Sequence, residues 1–402
     1  MQNPKAIPMT HLNKLSAQLG PRAIGTPGNQ AAASYIQDVF AACDMDVEVQ
    51  EYACPAWEDL GASLTLDGEP LEVVANAFSP DCDVTAPLVA ACSMAELEAA
   101  DLTGRIGLLY GYLTSAPLAC KSWFLKSERD DQIIRSLEEK KPLALITVQT
   151  KAGYLERLIE DWEFLIPSAT APAASGLALL RQSSASLHLR IDSRQSPGST
   201  ANLVARKPGQ SPQKIVLCAH YDTKFDTPGA SDNGGGAAVL LALAEHFRFK
   251  ELHYGLEFVA FTGEEYLPIG DDEYLRLSGD GFDQIVAAIN FDGVGSLLGP
   301  NTITLIAGSQ PFQEHLNQLT APYPGVVWVA PWPESNHSTF SWQGVPSLSF
   351  SSVGAFRLAH LRDDTVEWIS AARLDEAVAL SSQIVESLQD KPLAWARQTK
   401  EE

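Results

Sequence analysis

From residue 214 onward, short apolar runs alternate with longer segments whose apolar residues recur at helical spacing. Five runs predict buried strands: 214–219 (KIVLCA), 256–262 (LEFVAFT), 283–291 (DQIVAAINF), 302–307 (TITLIA) and 347–352 (SLSFSS). Between the first two, 234–247 (GGGAAVLLALAEHF) predicts a helix. Repeated alternation of buried strands and helices indicates an α/β fold, in which helices flank a mostly parallel central sheet.

The N-terminal part begins with a helix signal. Thr26 and Pro27 are a typical capping pair, and the segment at 31–43 (AAASYIQDVFAAC) keeps its apolar residues at helical spacing. The next segment, 46–52 (DVEVQEY), alternates like a strand. These two elements precede a marked change in the pattern.

From 53 to 196, short apolar runs lie between Pro, Gly and Asp residues and predict a β-rich segment with one helix near 130–139. Loop-like sequences at 195–200 (QSPGST) and 207–213 (KPGQSPQ) bracket a predicted strand at 202–205. We therefore expect two domains: 1–52 together with 197–402, and a smaller inserted β-rich domain at 53–196.

The composition indicates a folded, acidic protein. A chain of 402 residues is long for one core, and its hydrophobic content of 45% with eight Trp suffices to bury a large one. The formal net charge of −22 argues against nucleic acid or an anionic membrane as partner. The six cysteines have no CxxC or zinc-finger spacing and are expected to be buried and inert, as in a reducing compartment.

Targeting signals are not evident in the sequence. The N-terminus has no apolar signal segment, and the longest apolar run, 237–244, is too short to cross a bilayer. The expectation is a cytoplasmic protein, or a secreted one if a signal was trimmed. The oligomeric state is not predicted.

Polar residues suited to metal binding stand where the predicted strands end. They are His220 and Asp222 after KIVLCA, Asp232 before the glycine-led helix, Glu264 and Glu265 after LEFVAFT, and Asp292 after AAINF. Strand ends of an open α/β sheet meet in one crevice, where crowded carboxylates would raise each other's pKa values. Two divalent cations remove that cost, and histidine with carboxylates but no thiolate suits zinc.

Other common hydrolase signatures are missing from the sequence. It contains no HExxH, no GxSxG and no GxxxxGK[ST]. The glycines at 234–236 do not form a GxGxxG fingerprint, and their simpler role is to let a helix begin close to a site.

Six motifs in order resemble the co-catalytic dizinc exopeptidases, the family of bacterial leucyl aminopeptidases, glutamate carboxypeptidase and, more distantly, glutaminyl cyclases. They are HYD (220–222), GASDNGGG (229–236), FTGEE (261–265), INFDGVG (289–295), SNHSTFSWQGVP (335–346) and HLRDDTVEWI (360–369). The opening LSAQLGPRAIGTPGNQAAASYI also resembles the family's first helices. The segment at 53–196 resembles, more loosely, the family's inserted protease-associated domain.

This resemblance implies a set of roles. His220 and Asp292 would bind one zinc ion and Glu265 and His360 a second, while Asp232 would bridge them. Glu264 would take a proton from the water that the two ions activate. Asp222 would accept a hydrogen bond from the His220 ring and fix its tautomer.

Several of these residues have simpler interpretations. Asp232 could serve as a helix N-cap, and Glu264 and Glu265 could form a solvated helix start. His337 is the rival of His360 as a ligand, although a place in the site lining suits it better. Asp271, Asp272 and Glu273 are expected to form a solvated acidic turn.

The sequence departs from the family at Ala359. Many members carry a tyrosine there, before the last histidine, to polarise the scissile carbonyl; alanine cannot do so.

The resemblance leaves several functions open. The leading expectation is a metallo-exopeptidase that removes N-terminal residues from peptides, because acidic residues outnumber Lys224, Arg357 and Arg362 around the motifs. A free substrate carboxylate would need a well-placed arginine, and Arg357 is the strongest candidate. The alternatives are a carboxypeptidase or other amide hydrolase, then a glutaminyl cyclase, and last a non-catalytic peptide-binding protein.

Overall fold

The structure is a computed structural model that describes residues 7–123, 125–150, 155–182, 186–279 and 281–398. The strands are β1 (Asp46–Leu66), β2 (Glu69–Leu71), β3 (Val74–Ala75), β4 (Cys82–Ala91), β5 (Ile106–Leu109), β6 (Ala144–Gln149), β7 (Ser168–Pro172), β8 (Ser186–Lys207), β9 (Ser211–His220), β10 (Tyr254–Phe261), β11 (Ile285–Phe291), β12 (Asn301–Ile306), β13 (Val326–Trp328) and β14 (Ser347–Ser352). The α-helices are α1 (Ile7–Leu12), α2 (Pro27–Ala42), α3 (Met94–Ala99), α4 (Glu128–Lys140), α5 (Ala173–Arg181), α6 (Gly235–Phe247), α7 (Ile269–Ser278), α8 (Gln310–Thr320), α9 (His337–Ser341) and α10 (Ala371–Leu388).

The chain divides into two compact units. The first consists of Met1–Cys54 and Ser199–Glu402, and the second of Pro55–Gly198. The identification of the insert as a protease-associated domain stays a prediction.

The first unit contains a mixed sheet in the order β13-β12-β14-β11-β9-β10-β8. Strand β9 pairs in parallel with β10 and β11, and β11 pairs in parallel with β14. Antiparallel pairs flank this centre, β12 with β14 on one side and β10 with residues 203–207 of β8 on the other. The predicted α/β fold with a mostly parallel central sheet is confirmed.

Helices cover both faces of this sheet. Along β9, Ile215 and Leu217 join a core cluster with residues of α2, α6 and α10, whereas Val216 and Cys218 join a cluster with residues of α7 and α9. Successive side chains of a strand point to opposite faces, so a strand covered on both sides must be apolar throughout. This is why KIVLCA is a continuous apolar run.

Helix α6 begins against the end of β11. A Cβ atom on Gly236 would collide with the Phe291 carbonyl oxygen and with the Asn233 side chain. Asn233 Oδ1 accepts a hydrogen bond from the Gly236 N–H at 3.0 Å and so caps the helix. The glycine run therefore allows the close approach that the sequence suggested.

The second unit also alternates strands and helices. Strands β4, β5, β6 and β7 are adjacent in this order, and each pairs in parallel with the next. Strand β3 is antiparallel to β7, and residues 186–191 of β8 are antiparallel to β4. Helix α4 matches the helix predicted near 130–139, but α3 and α5 were not predicted. These helices have only six and nine residues, too few for a clear helical period.

The predicted loop at 195–200 is wrong, because β8 runs through it from Ser186 to Lys207. Pro197 and Gly198 lie between the part of β8 that pairs with β4 and the part that pairs with β10. A proline there removes no hydrogen bond from either ladder. Among the described residues, no helix has the length and apolar character needed to span a bilayer.

Candidate metal centre

Three adjacent parallel strands deliver the predicted site residues to one edge of the sheet. His220 is the last residue of β9, Glu264 and Glu265 follow β10, and Asp292 directly follows β11. Since β10, β9 and β11 are parallel neighbours, their carboxyl ends meet at the same edge. Asp232 and His360 come to this edge from loops.

The loop elements have unusual backbones. Asp232 lies in a π-helical turn, Ala230–Gly234, that has non-helical dihedral angles at Asp232 and Asn233. His360 lies in the connection between β14 and α10 with a φ of 66°. A left-handed conformation is uncommon for a residue with a Cβ and is often retained at functional sites.

The first group of side chains consists of His220, Asp232 and Asp292. His220 Nε2 lies 3.2 Å from Asp232 Oδ1 and 3.5 Å from Asp292 Oδ1. All three side chains are buried. Their ligand-type atoms lie within 4.8 Å of one another, close enough to share one metal ion.

The second group consists of Asp232, Glu265 and His360. His360 Nε2 lies 3.0 Å from Glu265 Oε2 and 3.3 Å from Asp232 Oδ2. Asp232 therefore presents one carboxylate oxygen to each group. The structure brings together all five residues that the sequence predicts as ligands.

Several polar atoms in these groups have no hydrogen-bond partner among the described residues. They are both ring nitrogens of His220, Oδ1 of Asp292 and Oε1 of Glu265. Buried polar atoms are nearly always paired, so these atoms call for a partner of another kind. Imidazole nitrogen and carboxylate oxygen, with no thiolate, suit zinc. The residues present fit two zinc positions that share Asp232.

The electrostatics of the groups point the same way. Burial lowers the pKa of the His220 imidazole, but Glu264, Asp222, Asp232 and Asp292 outweigh it and raise that pKa well above its usual range. For His360, Glu265 and Asp232 likewise outweigh burial and raise the pKa. Metal ions compete with protons for such imidazoles.

Glu264 differs from the ligand groups. Its Oε2 lies 3.9 Å from His220 Nε2, and 21% of its side chain remains exposed. Burial and the carboxylates of Asp292, Glu265 and Asp232 raise the pKa of Glu264 well above its usual range. A carboxylate beside the metal groups, with access to water and a raised pKa, has the properties of a general base.

Two further aspartates support the ligands. Asp222 Oδ1 lies 3.5 Å from His220 Nδ1, while its Oδ2 accepts a hydrogen bond from the Glu265 N–H at 3.3 Å. Asp364 is fully buried and accepts hydrogen bonds from the N–H groups of Ser231 and Asp232, at 2.8 and 3.0 Å. Burial raises the pKa of Asp364 to about 7.

Sequence reasoning missed the role of Asp364, which it treated only as an acidic neighbour of His360. The HLRDDT motif carries no signal that separates Asp364 from Asp363, because the two differ only in the folded structure, where Asp364 is fully buried and Asp363 is exposed. Its hydrogen bonds hold the backbone at Ser231 and Asp232, so it acts on the candidate site through Asp232.

His337 lies outside both ligand groups. Its Nε2 is 2.6 Å from the Trp332 carbonyl oxygen, and its Nδ1 is 3.4 Å from Asn290 Nδ2. Both ring nitrogens are thus engaged, Nε2 as donor and Nδ1 as acceptor. This arrangement disfavours His337 as the rival ligand of His360.

The expectation of a solvated acidic turn at Asp271 is wrong. Asp271 is only 6% exposed, and it accepts hydrogen bonds from Asn336 Nδ2 at 2.9 and 3.1 Å and from the Thr339 hydroxyl. It lies in the first turn of α7, with its side chain directed toward α9. The run of three acidic residues hid this inward-facing position.

Two histidine–carboxylate groups lie at the carboxyl edge of an α/β sheet. This arrangement is typical of metal-dependent hydrolases. Within this class, the chain is similar to peptidase family M28, whose profile matches residues 202–385. The recognition of a co-catalytic zinc exopeptidase from the sequence motifs is therefore confirmed.

Similar proteins include aminopeptidase YwaD of Bacillus subtilis, with 26% identity over 91% of this chain and 81% of that protein. The probable lipoprotein aminopeptidase LpqL of Mycobacterium tuberculosis is 27% identical over 72% of this chain. The matched part of the chain spans only 58% of the length of LpqL.

Solved structures share the fold. The zinc aminopeptidase BSAP from Bacillus subtilis has a TM-score of 0.79 at 21% identity, covering 98% of each chain. An aminopeptidase from Aneurinibacillus sp. strain AM-1 has a TM-score of 0.72 at 22% identity, covering 99% of this chain and 97% of the other.

Proposed function

We propose that the chain is a zinc-dependent aminopeptidase that hydrolyses N-terminal residues from peptides. The observation that carries this proposal is the pair of ligand groups that share Asp232 at the edge of the sheet. The match to the profile of peptidase family M28 supports peptide substrates, and relatives named as aminopeptidases support cleavage at the amino end.

The proposed ligands divide between two zinc ions. His220 and Asp292 would hold the first ion, Glu265 and His360 would hold the second, and Asp232 would contribute an oxygen to each. Asp222 Oδ1, 3.5 Å from His220 Nδ1, would accept a hydrogen bond from that nitrogen, which would leave Nε2 to face the metal. Asp364 fixes the backbone at Asp232 through two N–H groups.

When bound, the two ions lower the pKa of a water molecule and polarise the scissile carbonyl. Glu264 accepts a proton from the attacking water, since its carboxylate lies 3.9 Å from His220 Nε2 of the first group and reaches solvent. The same side chain then donates this proton to the departing amine. Ala359 has no donor to offer the developing oxyanion, so carbonyl polarisation must come from elsewhere.

The basic residues near the site favour recognition of a free amine. Lys224 Nζ donates to the Glu265 carbonyl oxygen, and Arg362 Nη2 lies 3.0 Å from Asp226 Oδ2. Both cations are therefore engaged by this protein's own groups. Arg357 is exposed and is the residue best able to receive a substrate carboxylate instead.

Metal removal tests the two-ion centre. We expect about two zinc ions per chain by elemental analysis, loss of peptidase activity on chelation, and recovery with zinc or cobalt. One ion with full peptidase activity would contradict the shared-aspartate centre, and one ion with cyclase activity in place of peptidase activity would favour a glutaminyl cyclase. A protein without bound zinc or metal-restored activity would favour a peptide-binding protein.

Blocked dipeptides test the direction of cleavage. We expect the enzyme to cleave a dipeptide amidated at its carboxylate but not one acetylated at its amine. Both compounds are compared with the unblocked dipeptide, using wild-type protein and Arg357→Ala. Cleavage of the acetylated compound that Arg357→Ala abolishes would identify a carboxypeptidase.

A further inference from the structure

A buried arginine from the N-terminal segment lies behind the loops of the candidate metal centre. Arg22 is fully buried, between the π-helical turn Asn13–Leu19 and α2. Its guanidinium donates only to backbone carbonyl oxygens: Tyr221 at 2.8 Å, Gly229 at 3.0 Å, Pro228 at 2.8 Å, Leu15 at 3.0 Å and Gly20 at 2.8 Å. Neither the composition nor the motif spacing of the sequence assigns it a role.

These contacts join two loops that carry proposed ligands. Tyr221 directly follows His220, and the Arg22 backbone N–H also donates to Thr223 Oγ1 at 2.8 Å. Pro228 and Gly229 lead into the turn that presents Asp232. One guanidinium thus spans the two loops whose ligand atoms, on His220 and Asp232, lie 3.2 Å apart.

Arg22 has no direct anionic partner in the described part of the chain: no carboxylate oxygen hydrogen-bonds or ion-pairs with it. Burial lowers its pKa to about 10, and Asp222, Asp364, Asp232 and Glu265 oppose this through space. Burying a charge is costly, so such an arginine needs a compensating use. Its planar fork, with five donors and no acceptor, can satisfy several carbonyl groups at fixed angles, which a lysine cannot do.

The same segment also reaches the end of a second strand, β10. Asn29 Nδ2 donates to the Arg22 carbonyl oxygen at 3.1 Å and to Thr262 Oγ1 at 3.0 Å. Thr262 follows β10 and precedes Glu264 and Glu265. The N-terminal segment therefore contacts residues next to three parts of the site: the end of β9, the loop that carries Asp232 and the end of β10.

We propose that Arg22 is a positioning residue for the metal centre, because its guanidinium fixes the spacing between the His220 loop and the Asp232 loop through their carbonyl groups. This inference rests on the proposed zinc centre. Arg22 does not touch the metal or the substrate, so its effect should be seen in zinc affinity.

The test compares Arg22→Lys with Arg397→Lys. Arg397 is a matched control, because its guanidinium also binds backbone carbonyls, those of Gly344, Phe282 and Ile285, each at 2.8 Å. Ile285 begins β11, so this second clamp holds the opposite end of the strand that leads to Asp292. Zinc affinity is measured by competition with a chromophoric chelator, and fold stability by thermal unfolding in excess chelator.

We expect Arg22→Lys to weaken zinc binding by about 10- to 100-fold, the usual effect of losing a residue that orients metal ligands. Arg397→Lys should lower the unfolding temperature without changing zinc affinity. An unchanged zinc Kd in Arg22→Lys, or an equal loss in both variants, would overturn the proposal. A wild-type protein that binds no zinc would instead overturn the proposed function, and this inference with it.

If Arg22→Lys does not fold, Ser16→Ala provides the test. The Ser16 hydroxyl donates to the Gly229 carbonyl oxygen at 3.1 Å, the same acceptor that Arg22 uses. Its loss should loosen that loop and weaken zinc binding by a smaller factor, on the order of 3-fold, since one neutral hydrogen bond is lost. An unchanged zinc affinity in folded Ser16→Ala would overturn the proposal.

Discussion

At the residue scale, two adjacent glutamates occupy different surroundings. Glu265 has 4% of its side chain exposed, with an oxygen 3.0 Å from His360 Nε2 in a ligand group. Glu264 stays 21% exposed and lies outside both groups. Glu264 reaches solvent, so it can take a proton from a water molecule. Glu265 is buried, so it can bind a metal ion that solvent does not displace.

Substitution of each glutamate by glutamine separates these roles. We expect Glu264→Gln to lower kcat by at least ~10²-fold with zinc content intact, because the amide keeps the shape but cannot accept a proton. Glu265→Gln should instead lower zinc affinity, measured by elemental analysis after dialysis. The reverse pattern would mean that the two roles are exchanged.

The residues at strand ends could be predicted because each follows a recognisable apolar run in the sequence. Asp364 and Arg22 could not, since they act on backbone groups that are distant along the chain, such as the N–H of Asp232 and the carbonyl of Tyr221. A contact to backbone leaves no residue-type signal at the partner position. Burial of these charged side chains becomes visible only in the folded structure.

At the element scale, one carboxylate joins two helices. Asp271 in the first turn of α7 accepts hydrogen bonds from Asn336 and Thr339, at the start of α9. Burial raises the pKa of Asp271 to about 6 from a usual value near 3.8. Asn336 Oδ1, beside it, is buried without a hydrogen-bond partner. The junction of α7 and α9 therefore favours a neutral group at position 271.

The raised pKa of Asp271 determines how the free energy of unfolding changes with pH. Because the pKa of Asp271 is higher in the folded protein, ionisation penalises the folded state; the penalty grows between about pH 4 and pH 6 and then stays constant. We expect Asp271→Asn to raise the free energy of unfolding at pH 7.5 by about 1–3 kcal/mol, with little effect at pH 4. A rotated Asn336 amide could then accept from the new amide through Oδ1.

Chemical denaturation in excess chelator at the two pH values measures this effect without a contribution from metal. Asp38→Asn, at an exposed position on α2, is the control and should show no such pH dependence. Equal stability of Asp271→Asn and wild type at pH 7.5 would contradict the raised pKa.

The strands of the first unit could largely be predicted, together with α2 and α6, but its other helices and the boundaries elsewhere could not. Strands covered on both faces give continuous apolar runs, as in β9 and β11, and these are readable in the sequence. Short α3 and α5 do not show a clear helical period, and β8 continues through Pro197 and Gly198, between its pairing with β4 and its pairing with β10. The bounds of these elements depend on contacts between segments that are distant along the chain, and the local sequence does not reveal such contacts.

At the scale of the whole molecule, acidity is the dominant property. The chain has 50 acidic and 28 basic residues and a formal net charge of −22. A field of this sign attracts cations, including metal ions and protonated amines, and repels anionic peptides. It acts over about a Debye length, roughly 8 Å at physiological ionic strength, so salt should weaken it.

Salt dependence of KM therefore distinguishes substrates by charge. For a peptide rich in lysine, we expect KM to rise as sodium chloride increases from 10 to about 300 mM, because salt screens an attraction. For a matched peptide rich in glutamate, KM should fall, because salt screens a repulsion. A neutral peptide with the same N-terminal residue is the control for effects of salt on catalysis itself. If KM changes in the same direction for all three peptides, the net charge of the molecule does not govern its choice of substrate.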